Sequence, residues 1–246
     1  MNQAVYKAFC ECRNSFRAIT EELQAALPDL QKFQQCLVDA RNGPRYSVDT
    51  PVVYNTALDD VDCDSDIRLI LVGDNPGRRE QAAENRRYLV GPSGKIAESF
   101  FKKETVLSID FRKNVIILNK SPVHTPRTAE LKDLCRLGGE KTRRVVEYSQ
   151  TKMANLLADF FCALRVPIWI SGYSEMKKRG VFERYTVELR DLMRRGSINK
   201  ESVFLYRHFS MNQFTVDLRQ KTLPGKSLTE TLRVIGAGYR EKILSS

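Results

Sequence analysis

From residue 1 to about residue 41, apolar positions recur at three- and four-residue spacing, which predicts helix with a break at Pro28. Residues 42–66 lose that period. Gly43-Pro44, Pro51 and the acidic run from Asp59 to Asp66 mark them as a connecting loop. From residue 67 the pattern changes to short apolar runs, each followed by a loop and a helical stretch. Strands are expected at 67–72, 115–118, 167–170 and 202–206, and helices at 96–102, 129–137, 142–164, 175–195 and 228–243. Strands alternating with helices predict a three-layer α/β/α fold around a central, mostly parallel four-stranded sheet. Residues 1–66 then form an N-terminal helical extension and loop, and 67–246 the α/β domain. No internal repeat or low-complexity segment is visible.

In such a sheet, ligands bind beyond the carboxyl ends of the strands. The first strand runs into Gly73-Asp74-Asn75-Pro76-Gly77, where terminal glycines permit unusual backbone geometry and Pro76 stiffens the turn. Asp74 and Asn75 are thereby presented at the sheet edge. The second strand leads to Asn119-Lys120-Ser121-Pro122-Val123-His124-Thr125-Pro126, and the fourth to Arg207-His208-Phe209-Ser210-Met211-Asn212. Taken singly, these read as a turn, a cap and satisfied structural histidines. Jointly, three polar loops converging on one sheet edge have the form of an active site.

Composition narrows the field. No apolar run in the 246 residues approaches the length of a membrane span, so no membrane partner is expected. The N-terminus lacks the basic flank and apolar stretch of a secretory signal, which predicts a cytoplasmic protein with reduced thiols. Six cysteines at 10, 12, 36, 63, 135 and 162 form no CxxC pair, so neither a metal site nor a cofactor is expected. The net charge of +10 favours a polyanionic partner. Arg78-Arg79 and Arg86-Arg87 flank the first loop and are the better candidates for phosphate contact. Gly91-Pro92-Ser93-Gly94-Lys95 superficially resembles a nucleotide phosphate loop, but Ile96 stands where that pattern needs Ser or Thr.

A more specific resemblance runs through four segments. Ile70-Leu71-Val72-Gly73-Asp74-Asn75-Pro76-Gly77 is similar to the first motif of the uracil-DNA glycosylase superfamily, a strand followed by a Gly-x-x-Pro loop. Tyr88-Leu89-Val90-Gly91-Pro92-Ser93-Gly94-Lys95 resembles its Pro-Phe-Val-Gly-x-x-Gly segment. Asn119 to Pro126 is similar to its strand-end asparagine and following loop, and His208-Phe209-Ser210 stands where the superfamily has His-Pro-Ser. Order and spacing match from about residue 67 to 220.

The resemblance implies a monofunctional DNA glycosylase of base excision repair. Such an enzyme hydrolyses the N-glycosidic bond of uracil or a related damaged base in DNA, here as a monomer without cofactor. It implies that His208 donates a hydrogen bond to the base oxygen and that Asn119 reads the base edge. Asp74 or Asn75 would position the water, each matching a different branch. Gly73, Pro76 and Gly77 shape the loop. Leu89 replaces the expected stacking aromatic, with Tyr88 one residue earlier as the alternative platform. Ser210, Met211 and Asn212 complete the histidine loop, where Met211, Asn212 and Phe214 are candidates to wedge into the duplex. His124 falls in a loop that in one branch carries a histidine trapping the sugar covalently. Leu89 and Phe209 depart from the superfamily pattern, which keeps open a catalytically altered member serving as a DNA-binding module.

Overall fold

All four apolar runs are strands: β1 (Leu69–Gly73), β2 (Val115–Asn119), β3 (Ile168–Ser171) and β4 (Val203–Tyr206). The structure is a computed structural model and describes residues 1–222 and 224–245. Every strand residue is buried, as continuous apolar strands require when helices cover both faces. Pairing is parallel throughout in the order β2-β1-β3-β4. The three-layer α/β/α arrangement is therefore present, with an all-parallel sheet.

This order matters for the site. From β1 the chain goes to β2 on one side, then crosses back to β3 on the other. The loops leaving β1 and β3 diverge at that reversal and open a crevice above the carboxyl ends. In register, Gly73 lies opposite Asn119, and Ser171 opposite Tyr206.

The helices are α1 (Gln3–Ala26), α2 (Leu30–Asp39), α3 (Arg78–Gln81), α4 (Pro92–Lys103), α5 (Leu131–Leu164), α6 (Glu183–Arg194), α7 (Gln213–Gln220) and α8 (Leu228–Leu244). α1 packs along α5, with Phe9 edge-on to Phe160 at 5.6 Å and Phe16 set against Tyr54 and Tyr88. The N-terminal helices thus share one hydrophobic core with the sheet. α5 is continuous where two helices were expected, and the expected gap survives as a kink at Gly139, whose φ is +70°. α6 begins later than its charge pattern suggested. Residues Tyr173–Met176 instead form one 3₁₀ turn, and Gly180 closes a turn back to the Lys177 carbonyl. The short helices α3 and α7 lie in segments with no clear helical period, and both border the crevice.

Residues 42–66 are irregular except for a 3₁₀ turn at Thr56–Asp60. They are nevertheless anchored. Val52 bridges Val123, and the buried Asn55 side chain donates to the Ile117 carbonyl and accepts from the Tyr88 amide. No helix among the described residues is long and apolar enough to cross a membrane.

Candidate functional site

A cleft of about 640 Å³ opens above the β1 and β3 ends. Its volume suits a base-sized or nucleotide-sized ligand. Asp74, Asn75 and Gly77 of the first loop line it, with Asn119 and Thr125 of the second, Gly172 and Glu175 after β3, and His208 and Ser210 after β4. Leu89 and the start of α4 close one wall, and Arg78, Arg79 and Arg127 stand exposed at the rim. The described residues offer no cluster of His, Cys, Asp or Glu able to hold a metal ion.

Asp74 is buried at the cleft floor, where its Oδ1 accepts from Lys120 Nζ at 2.6 Å and its Oδ2 from Thr128 Oγ1 at 3.3 Å. Gly172 makes room for this carboxylate. A Cβ there would lie 2.5 Å from Oδ1, and its φ of +78° is one that side chains rarely adopt. Gly73 serves Asn119 in the same way, since a Cβ on it would meet the Asn119 Oδ1 at 2.5 Å. Asn119 is itself buried, and its Nδ2 has no partner among the described residues. A buried amide left without an acceptor is costly, and beside a cleft it marks a place for a ligand oxygen.

His208 Nδ1 accepts from the Ser210 backbone N–H at 3.0 Å. That bond places the proton of the neutral ring on Nε2, which has no protein partner among the described residues. Burial pushes the ring's pKa below the usual histidine value; the Asp74 charge acts against this shift and the Lys120 charge with it. His208 is therefore a neutral imidazole with a free N–H donor.

Asp74 and Asn75, which the sequence leaves as alternatives for holding water, differ in what they are free to do. The Asn75 Nδ2 donates to the Val123 carbonyl at 3.0 Å and to Thr125 Oγ1 at 2.8 Å, stapling the first loop to the second. The Asp74 carboxylate lies at the floor of the cleft.

Several candidates from the sequence lie elsewhere. Tyr88 cannot be a stacking platform. Its ring is fully buried against Phe16, and its hydroxyl donates to the Val53 carbonyl at 2.6 Å. Leu89, in a left-handed conformation with φ +53°, is the residue on the cleft wall. His124 is also fully buried, behind the first loop. Its Nδ1 donates to the Pro76 carbonyl at 2.8 Å and its Nε2 accepts from the Tyr46 hydroxyl at 3.1 Å, so it cannot trap a sugar. Pro76 is buried and contributes through that carbonyl. Asn212 lines a neighbouring groove between α4 and α7, and Phe214 is buried and stacked on Phe209 at 4.5 Å. Met211 is 86% exposed with φ +52°, projecting from the loop that carries His208. Arg78 and Arg79 reach the cleft; Arg87 instead pairs with Asp60 at 2.6 Å.

Lys120 and Glu80 escaped the sequence reading. Glu80 Oε2 accepts from the Gly77 amide at 2.8 Å and Oε1 from the Leu89 amide at 2.6 Å, joining two walls of the cleft. Burial raises its carboxyl pKa to about 6, against the opposing pull of these backbone donors. Gly77-x-x-Glu80 has the spacing of a helix N-terminal capping pair, a signal that could have found it. No protein-family model and no curated protein matches the chain.

Proposed function

We propose that the protein is a DNA glycosylase that hydrolyses the N-glycosidic bond of uracil or a related damaged base. One observation carries this reading. Across a single cleft, the neutral donor His208, the unpartnered amide of Asn119 and the Asp74 carboxylate converge. Breaking the bond from base to sugar leaves negative charge on the base and positive charge on the sugar. His208 Nε2–H would meet the developing charge on a base oxygen, and a neutral donor does so without first losing a proton. The Asn119 Nδ2 would donate to a carbonyl on the base edge, which provides the acceptor that it lacks in the free protein. Asp74 would hold the attacking water and favour the cationic sugar.

The rim fits the same chemistry. Arg79 and Arg127 have no ion-pair partner among the described residues and can take phosphates on either side of a flipped nucleotide. Met211, apolar and almost fully exposed, is placed to fill the gap that a flipped base leaves. On this reading the enzyme works as a monomer in the cytoplasm.

A second reading has an observation of its own. Among the described residues lining the cleft there is no Phe, Tyr or Trp, so a flipped base would find only Leu89 and arginine planes to rest on. A binding module that grips damaged DNA without cleaving it needs no such platform. A panel of labelled oligonucleotides carrying uracil, hypoxanthine or xanthine separates the two. Release of a free base with an alkali-labile site, lost in D74A, supports the glycosylase. Tight retention of DNA with no product supports the module.

A further inference from the structure

The most unusual side chain in the molecule is one that the proposed chemistry does not use. Lys120 is fully buried, with its ammonium behind Asp74, beneath the floor of the cleft. Its Nζ donates to Asp74 Oδ1 at 2.6 Å, to the Ser171 carbonyl at 2.6 Å and to the Gly73 carbonyl at 3.2 Å. The face of Phe182 lies 5.1 Å away. An ammonium has three donors, and all three are committed. No donor remains for a substrate and no lone pair is free for attack. A buried cation is expensive unless well paired, and an apolar residue of the same size would fill the space at lower cost.

The three acceptors explain its place. Gly73 ends β1, Ser171 ends β3, and Asp74 stands at the point where the two strands diverge. Lys120 follows β2 directly, and its own backbone N–H continues the ladder to the Gly73 carbonyl at 3.1 Å. One side chain therefore ties together the ends of three strands and the carboxylate between them.

We propose that Lys120 is the positioning residue of the site, clamping Asp74 Oδ1 to the strand ends so that the carboxylate is held at the cleft. The charged groups concerned come from each neighbouring loop: Asp74 after β1, Lys120 after β2, Glu175 after β3, whose charge acts on Lys120, and His208 after β4, on which the charges of Asp74 and Lys120 act in opposite senses. Removing the ammonium leaves His208 beside Asp74 without the opposing positive charge. Its titration then moves upward, so that more of the ring is protonated near neutral pH and less remains as the neutral donor.

The kinetic part of this proposal rests on the glycosylase reading; the titration part does not. The test compares wild type, K120M, D74N and D74N/K120M. The chain has only two histidines, so NMR resolves the His208 titration directly. The expected results are an upward shift of its midpoint in K120M and a release rate roughly 100-fold lower, about the effect of losing one positioned acid–base group. KM should change little. In the D74N background K120M should cost nothing more in rate, and the double variant should melt no lower than D74N, which alone leaves the ammonium unpaired. If K120M fails to fold, that comparison of melting temperatures decides. A wild-type rate and an unmoved midpoint in K120M, or additive losses of melting temperature in the double variant, would overturn the proposal. If wild type releases no base, the glycosylase reading fails, while the titration and the melting comparison still decide the role of Lys120.

Discussion

Tyr88 and Leu89 are neighbours in sequence and lie on opposite sides of one wall. The left-handed turn at Leu89 puts the Tyr88 ring under α1 and the leucine on the cleft. Tyr88→Phe should therefore be a stability variant. Losing its hydroxyl leaves the Val53 carbonyl without that donor, at a cost of about 1–3 kcal/mol in urea unfolding. Base release should stay within about twofold of wild type; a drop of roughly tenfold or more, worth about 1.4 kcal/mol in the barrier, would put the ring against the substrate. Asp74, Asn119 and His208 were legible as site residues because each follows an apolar strand. Lys120 and Glu80 were not, because a charged residue in a loop is ordinarily solvated. The burial of Lys120 depends on partners far along the chain, such as Ser171, and no local pattern carries that information; Glu80 left only the short Gly77-x-x-Glu80 spacing.

At the level of elements, the site is made by where strands end. The existence of all four strands follows from their apolar runs, and no boundary moved by more than two residues. The sequence also marked the Gly139 interruption, although the helix continues through it. What it lacked was the sheet order, since nothing local says that β1 lies between β2 and β3. That order brings Gly172 against Asp74. Gly172→Ala should strain the backbone and push a methyl group into the carboxylate, whereas Gly196→Ala, with φ +77° and open space, meets strain alone. Gly196→Ala should lose about 1–2 kcal/mol of stability in urea unfolding, and Gly172→Ala more. Only Gly172→Ala should also slow base release. Equal rates in the two variants would mean that Asp74 tolerates displacement.

For the whole molecule, the pH dependence of stability reflects buried groups that titrate in opposite senses. Burial lowers the His124 pKa from 6.5 to about 4. The unfolded chain then takes up a proton that the native state refuses, so stability present above pH 6.5 is lost as pH falls towards 4, by about 3 kcal/mol. His208 acts in the same direction. Glu80 opposes them: its raised pKa gives stability that is full below pH 4.5 and is lost as pH rises through 6, about 2 kcal/mol. His124→Gln leaves Glu80 and His208 in place, so the difference from wild type isolates one group. The variant should be less stable at pH 7 yet lose less stability between pH 7 and pH 4.5 in urea titrations. Parallel losses in the two proteins would mean that His124 titrates normally in the fold.

The same three-dimensional convergence sets the central claim, that a neutral His208 serves the departing base. Single-turnover release of uracil from a labelled single-stranded oligonucleotide, measured for wild type and His208→Ala, tests it most directly. The expected result is free uracil and an alkali-labile site from wild type, with a rate lower by roughly 100- to 1,000-fold in the variant, the effect of removing one preorganised donor. Equal rates in the two proteins, or no free base released by wild type from oligonucleotides carrying uracil, hypoxanthine or xanthine, would contradict it.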